Sequence, residues 1–343
     1  MTLDLIRHLN NLIAEKKYFA AWRFPNEKEV HVLEAASAKI IRQHEIGLEK
    51  GFIAFPFSED EGILLSEKQG NFELPQLQFS YRSTSRKNYF DRAEKFISAI
   101  RNKEFGKLVL SRIIEIETPT SFQADSMFFQ LCQAYPNAFI NCIHLPGWGF
   151  WMGASPEILL NSFSDSITIM SLAGTQSLSD KKEDEIVWGE KEIEEQKIVT
   201  DSISHQLESI PGIQFSVGEV HNHRAGHLIH LRTNIEIKKD SVTHLAPIIK
   251  LLHPTPAVGG FPKEKSIDYI QQNEGHHRGL YAGFLGPVNS AVDMKLFVNL
   301  RCMHFNERSI FLFAGGGLTA ASEPDKEWEE TEQKSKVLLK FIQ

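Results

Sequence analysis

Hydrophobic and polar positions alternate with two different periods along this chain, and the two types of segment are interleaved. Near the N-terminus, Leu5, Ile6, Leu9, Leu12 and Ile13 recur at helical spacing and predict a surface helix. The runs GFIAFPF and EGILLSE then read as short strands. Residues 86–105 predict a helix whose apolar face is Phe90, Ala93, Phe96, Ile97 and Ile100, with Gly106 ending it. KLVLSRIIEIE is a strand and SMFFQLCQAY a short helix. AFINCIHL, GFWMGA, EILLNSF and SITIMSL follow as short strands and suggest an antiparallel meander.

The second half repeats this style. Residues 184–209 predict a long helix that begins acidic and ends apolar, and IQFSVGEVHN and HLIHLRTNIEI predict strands. Ser241–Leu252 and Ser266–His276 read as helices around the Pro/Gly-rich loop LHPTPAVGGFPK. LYAGFLGPV, MKLFVNLRCMHF and RSIFLFAGG are strands before a last helix. Strands greatly outnumber βαβ units, which favours an α+β fold with large antiparallel sheets. No linker or low-complexity tract divides the 343 residues. We therefore expect one domain, with room for an internal structural duplication although no sequence repeat stands out.

Strand parity assigns faces. In HLIHLRTNIEI, Ile229, Leu231, Thr233, Ile235 and Ile237 point one way, and His230, Arg232, Asn234 and Glu236 the other. In KLFVNLRCM, Leu296, Val298, Leu300 and Cys302 share a face, with Lys295, Asn299 and Arg301 opposite. Such polar faces usually meet water, and the alternative is that they line a cavity.

Composition narrows the function. The 42% hydrophobic and 24% charged residues are those of an ordinary globular protein. A net charge of −7 with no basic run argues against a general nucleic-acid binder. It leaves room for an anionic substrate in a locally positive site. Cys132, Cys142 and Cys302 form no CxxC pair and sit in apolar runs, so they read as reduced core residues of a cytoplasmic protein. The N-terminus shows no signal-peptide pattern, and no apolar run is long enough to span a membrane.

The densest candidate chemistry lies in the last forty residues. Arg301 ends a strand-like run, Gly315, Gly316 and Gly317 read as a turn, and KEWEETEQKSKVLLKFIQ is a helix free of Gly and Pro. Offsets of three and seven residues put Glu327, Glu330 and Lys334 on one helix face. Glu and Lys at this spacing usually make a solvated face with weak ion pairs. Two carboxylates and an ammonium beside an arginine also suit a metal ion holding an anionic ligand. Glu192, Glu194 and Glu195 lie in KEIEEQ, mostly as solvated helix surface, and one of them could meet Glu330 across Mg²⁺, which prefers a few carboxylates with water and a ligand oxygen. Gly174 and Thr175 in SLAGTQ could offer backbone N–H groups to an anion. Lys107 opens an aliphatic strand, and burial among apolar groups would favour its neutral amine, a usable base. Glu157 lies in the turn of GASPEILL, where burial would make it a general acid.

Taken together and in order, GKLVLSR, GASPEILL, SLAGT, KEIEEQKIVTDSI, HLRTNIE, LHPTPAVGGFPK, RGLYAGFLG, NLRC, FAGGG and EPDKEWEETEQK resemble the chorismate-utilising enzymes. These motifs run from about residue 104 to 336, while residues 1–85 match poorly and form a divergent N-terminal part beside a family core at 86–343. The resemblance implies an α/β sandwich of large antiparallel sheets with helices outside.

Within the family the chain looks most like isochorismate synthase. Lys107 stands where water-adding members have their base, the LHPTPAVGG loop is similar to theirs, and Ala257 stands where salicylate synthases have threonine. Gln196–Lys197 departs from the histidine many members carry after the metal-binding glutamate. The resemblance implies Lys107 as general base and Glu157 as general acid, and Glu195 and Glu330 as Mg²⁺ ligands, with Glu327 helping through water. It also implies Gly174, Thr175, His230, Ala257, Tyr281, Arg301, Gly315 and Lys334 as the substrate contacts. Chorismate would be the substrate and Mg²⁺ the cofactor of a cytoplasmic monomer, without a glutaminase subunit. The alternatives are a salicylate-synthase-like lyase and an amidotransferase-partnered synthase.

Overall fold

The computed structural model describes residues 3–73, 80–163, 165–178, 185–225 and 228–342. The strands among the described residues form two antiparallel sheets. The eight-stranded sheet runs, in spatial order, Gly260–Phe261, Lys107–Glu117, Ser309–Leu318, Cys302–Phe305, Gly149–Ser155, Phe139–Leu145, Phe19–Arg23 and His31–Glu34. The ten-stranded sheet runs Phe215–Val217, Leu228–Lys238, Ser166–Ser177, Ile158–Asn161, Asp293–Val298, Phe284–Ser290, Gly51–Phe55, Glu61–Ser66 and Ser37–Arg42, and His221–Ala225 also pairs with Leu228–Lys238. The architecture is α+β with large antiparallel sheets.

Side-chain alternation decides how the sheets pack. In Phe139–Leu145, Phe139, Ile143 and Leu145 join the core shared by both sheets, while Ile140 and Cys142 join a second core under the helices. Phe139 stacks on Phe297 of the other sheet, with ring centroids 3.9 Å apart. Truncating such a buried ring to alanine costs about 3–5 kcal/mol.

Seven α-helices among the described residues cover the outside: α1 (Leu3–Ala14), α2 (Arg86–Arg101), α3 (Ala124–Ala134), α4 (Glu190–Glu208), α5 (Ala246–Leu252), α6 (Lys263–Asn273) and α7 (Pro324–Leu339). Leu9 and Leu12 of α1, Phe128 and Leu131 of α3, and Val337 and Leu338 of α7 pack in the second core. Val199, Ile203 and Leu207 of α4 join the first. The Ser85 side chain accepts the Asn88 N–H and starts α2, and the Glu192 carboxylate accepts the Gly189 N–H and starts α4. No helix among the described residues is long and apolar enough to cross a membrane.

The sequence expectations need several corrections. Helix α2 ends at Arg101, and Gly106 instead donates its N–H to the Phe261 carbonyl at the sheet edge. Phe90 is only half-buried, and Tyr89 takes its place in the core. Helix α4 starts at Glu190 because of its cap, and the expected start at residue 184 lies outside the described residues, as does His227 at the head of its strand. Helix α5 is shorter than Ser241–Leu252, since Lys239–Ser241 forms a separate 3₁₀ turn. IQFSVGEVHN yields two strands, Phe215–Val217 and His221–Ala225, both on one edge of Leu228–Lys238. The expected meander is divided: Phe139–Leu145 and Gly149–Ser155 belong to the eight-stranded sheet, Ile158–Asn161 and Ser166–Ser177 to the other.

MKLFVNLRCMHF divides in the same way. It crosses from Asp293–Val298 in one sheet to Cys302–Phe305 in the other. Arg301 lies in the crossing with φ +47, so strand parity does not place it. Gly315, Gly316 and Gly317 are not a turn. They sit inside the strand Ser309–Leu318, paired with Ser111, Leu110 and Val109.

Candidate active site

Two neighbouring crossings between the sheets build the centre of the site. Pro156 and Glu157 join Gly149–Ser155 to Ile158–Asn161, and Asn299–Arg301 joins the strands paired with those two. The crossings are laced together: Ala154 N–H donates to the Arg301 carbonyl at 3.0 Å, and Val298 N–H to the Glu157 carbonyl at 3.1 Å. A cavity of about 50 Å³ opens against them. Its lining includes ten of the expected site residues: Glu157, Gly174, Thr175, Glu195, His230, Ala257, Tyr281, Arg301, Gly315 and Lys334. Lys107, Glu327 and Glu330 stand just behind that lining, around Gly316 and Gly317.

Glu157 is 2% exposed, and its Oε1 has no hydrogen-bond partner. Burial pushes its pKa up to about 8, against the pull of Lys107, Arg301 and Lys334. It is therefore a proton-holding carboxyl at neutral pH, as a general acid requires. Lys107 is fully buried but not in the apolar setting expected from its strand. Its Nζ lies 2.9 Å from Glu195 Oε1. The approach is an ion-pair contact and lacks hydrogen-bond geometry.

The three glycines explain how these groups come so close. A Cβ on Gly317 would stand 2.1 Å from Glu195 Oε1 and 2.7 Å from Lys107 Cε. One on Gly316 would stand 3.1 Å from Glu327 Oε2, and one on Gly315 2.6 Å from the Tyr281 hydroxyl. The missing side chains are room for the site, not freedom for a turn.

His230 shares its Nδ1 between the Gly174 carbonyl at 3.0 Å and the Thr175 hydroxyl at 3.1 Å. A carbonyl only accepts, so Nδ1 carries the proton and Nε2, 3.5 Å from Arg301 Nη2, is left as the acceptor. Burial first and then Arg301 hold this imidazole well below the usual histidine range, so it is neutral. Gly174 is the bulged residue of its strand, with φ +68, and turns its carbonyl to His230. The Gly174 carbonyl is thereby engaged by His230.

Helices α4 and α7 bring three carboxylates together, each against a lysine. Besides Glu195, Glu327 accepts from Lys191 at 2.6 Å and Glu330 from Lys334 at 2.5 Å. Lys334 also donates to the Gly315 carbonyl at 2.8 Å. Burial and then the charge of Glu330 raise the Glu327 pKa to about 7. Burial opposes ionisation of Glu330 too, but Lys334 and Lys191 hold it below the usual carboxylate range. A divalent cation fits this donor set. The Oε2 of fully buried Glu327 lacks any partner, and Glu327 and Glu330 reach the open strip at Gly316, with Glu195 beside it at Gly317. Among the described residues no three acidic or metal-ligating side chains already form a coordination shell, because lysines stand among the carboxylates.

Sequence reasoning passed over Lys191, Glu274 and Arg278. Lys191 stands in KEIEEQ, where the signal of the neighbouring acids outweighs that of a single lysine. Glu274 and Arg278 are four residues apart, but α6 ends at Asn273 and Arg278 lies beyond the expected helix as well, so no helical periodicity marked the pair. Buried Glu274 accepts from Ser111 N–H at 2.7 Å and from Arg278, and Arg278 donates to the Val109 and Val258 carbonyls. That network ties the Lys107 strand to the loop carrying Ala257. A larger cavity of about 700 Å³ lies among Trp22, His31, Leu33 and Lys68, away from this acid, base and carboxylate set.

A family model for chorismate binding enzymes matches residues 53–343. The chain belongs to that family. It is 30% identical over 245 residues to isochorismate synthase EntC of Escherichia coli, covering 68% of this chain and 61% of EntC. It thus spans about three fifths of that relative's length. In structure it is similar to DhbC of Bacillus anthracis, with a TM-score of 0.83 at 22% identity over 98% of this chain and 99% of that one. It is also similar to MenF, the menaquinone-specific isochorismate synthase of Escherichia coli, with a TM-score of 0.78 at 20% identity over 95% and 89%. Both structures share the fold.

Proposed function

We propose that this chorismate-binding enzyme is a Mg²⁺-dependent isochorismate synthase. The observation that carries the reading is Glu157, a proton-holding carboxyl facing the same cavity as Arg301, His230, Lys334 and Glu195, the carboxylate against Lys107. Mg²⁺ held by Glu195 and Glu330, with Glu327 helping through water, would supply positive charge for the ring carboxylate of chorismate. Arg301, oriented by the neutral Nε2 of His230, takes the enolpyruvyl carboxylate as a planar fork. Lys107, once parted from Glu195 and having given its ammonium proton to solvent, would remove a proton from the water attacking C2. Glu157 gives its proton to the hydroxyl leaving C4. One C–O bond forms, one breaks, and the ring double bonds shift. Water enters and water leaves, so the reaction is a reversible isomerisation that needs no redox cofactor. Solvent exchange returns the proton from Lys107 to Glu157.

The cavity of about 50 Å³ is far smaller than the roughly 300–1,000 Å³ usual for a small-molecule pocket. The carboxylate–lysine contacts must therefore part as substrate enters. We read the enzyme as a cytoplasmic monomer that works without a glutaminase subunit. Its product would feed menaquinone or siderophore biosynthesis, and neighbouring genes would decide between them. Incubation with chorismate and Mg²⁺, followed by chromatographic product identification, tests the proposal. Isochorismate that disappears with excess EDTA supports it. Salicylate with pyruvate, or a product formed only with ammonia, overturns it in favour of a lyase or an amidotransferase-partnered synthase.

A further inference from the structure

Charge counting around the three carboxylates shows a conflict with metal binding. Glu195, Glu327 and Glu330 face Lys107, Lys191 and Lys334, one ammonium to each carboxylate. Each carboxylate thus already has a cationic partner, and buried Arg301 adds further positive charge toward Glu330. A divalent cation entering the cluster without any lysine leaving would bring uncompensated positive charge into a buried site, which is costly. One lysine must therefore give way.

The geometry points to which one. The Lys107 side chain is fully buried on the strand next to Gly260–Phe261, and Lys334 is 10% exposed and tied also to the Gly315 carbonyl. Lys191 is 25% exposed and sits at the second position of α4, and among the described residues its ammonium makes no hydrogen bond but the one to Glu327. Glu327 is the carboxylate whose other oxygen lies buried and unpartnered beside Glu330. A flexible four-carbon stem at the first turn of a helix can swing its ammonium to water at low cost.

We infer that Lys191 is a resident counter-ion of the carboxylate site, bound to Glu327 in the metal-free protein and displaced to solvent when the metal binds. The inference rests on the metal-site assignment proposed above and adds to it a competitor built into the chain. Such a competitor weakens metal binding to the substrate-free enzyme. It also keeps Glu327 and Glu330, two adjacent carboxylates, from repelling each other while the site waits.

Calorimetric titration of Mg²⁺ into substrate-free protein tests this directly. Lys191→Met removes the ammonium, and Lys191→Gln removes its charge while keeping a hydrogen-bond donor near Glu327, so one variant suffices if the other does not fold. Both should bind Mg²⁺ roughly tenfold more tightly than wild type, the scale of one charge-assisted contact. Lys191→Arg, which keeps the charge, should stay within about threefold of wild type. Added Mg²⁺ should raise the thermal midpoint of Lys191→Gln more than that of wild type. Unchanged or weaker binding in both neutral variants overturns the inference. Glu330→Gln separates the two assignments. If it abolishes the binding heat in every background, the metal site stands whatever Lys191 does. If it leaves the heat intact, the metal site and the exchange both fall.

Discussion

The Nζ of Lys107 lies 2.9 Å from Oε1 of Glu195, so the residue proposed as base is paired with a residue proposed to hold the metal. The two arrive from a strand of the eight-stranded sheet and from α4, and they meet over Gly317, where no side chain intervenes. Lys107→Ala should lower kcat by about 10²–10⁴, the usual worth of a positioned base. Chorismate should still bind, since Arg301 and Lys334 remain. Single-turnover kinetics with a separate binding titration checks both halves. Near-normal isochorismate formation by the variant would remove Lys107 from the mechanism.

Glu157 makes the pH dependence predictable. Burial raises its pKa from the ordinary 4.5 to about 8. Turnover should fall as pH rises through about 8 and the acid loses its proton, and Glu157→Gln should remove most turnover at every pH. The sign for stability follows from the same shift. Between 4.5 and about 8 the folded protein holds a proton that the unfolded chain has released. The contribution of Glu157 to stability is therefore complete below 4.5 and is lost as pH rises through about 8. Glu157→Gln should gain on wild type across that window, by an amount on the order of a few kcal/mol. Denaturant unfolding of both proteins at pH 5 and pH 9 measures it, and an equal difference at the two pH values would contradict the burial argument.

How much of this could be read from the chain depends on the physical scale of each signal. A run of aliphatic and β-branched residues marked Lys107–Glu117 with its observed ends, and the spacing of Glu327, Glu330 and Lys334 placed them on one face of α7. The crossings at Glu157 and Arg301 were not legible. Both sheets use the same alternation, so nothing local tells a strand which sheet it joins. Parity for Arg301 failed for the same reason, since it assumed one uninterrupted strand through residue 301. The three glycines carried a real signal that was given the wrong cause. Glycine marks close approach as well as turns, and only the partners across the site, Glu195, Lys107 and Tyr281, show which applies.

Gly317 allows that reading to be tested by one carbon atom. Its φ lies outside the left-handed region, so alanine can adopt the backbone, and the consequence is confined to the added Cβ, 2.1 Å from Glu195 Oε1 and 2.7 Å from Lys107 Cε. The pair must shift, and a displacement of about 1 Å in a catalytic group costs on the order of 10² in rate. Gly317→Ala should therefore lose about 10²-fold in kcat while its circular dichroism stays that of wild type. Full activity would show that Glu195 and Lys107 do not need this approach.

Arg301 offers the cleanest test of substrate capture because of its backbone. It holds φ +47 in a crossing between sheets, a conformation that strains arginine and lysine alike. Arg301→Lys therefore leaves the backbone cost unchanged and alters only the head group. The planar fork that fits a carboxylate becomes a point charge, and the 3.5 Å approach of Nη2 to His230 Nε2, which orients the fork, is lost. One of two parallel charge-assisted bonds to the substrate should disappear, worth about 1.5–3 kcal/mol, or roughly ten- to a hundredfold in KM. The effect on kcat should be smaller, because Lys107 and Glu157 keep their places. Steady-state kinetics on chorismate separates the two parameters. A variant with wild-type KM and kcat would show that Arg301 does not hold the substrate, and the carboxylate clamp would then have to be sought at Lys334.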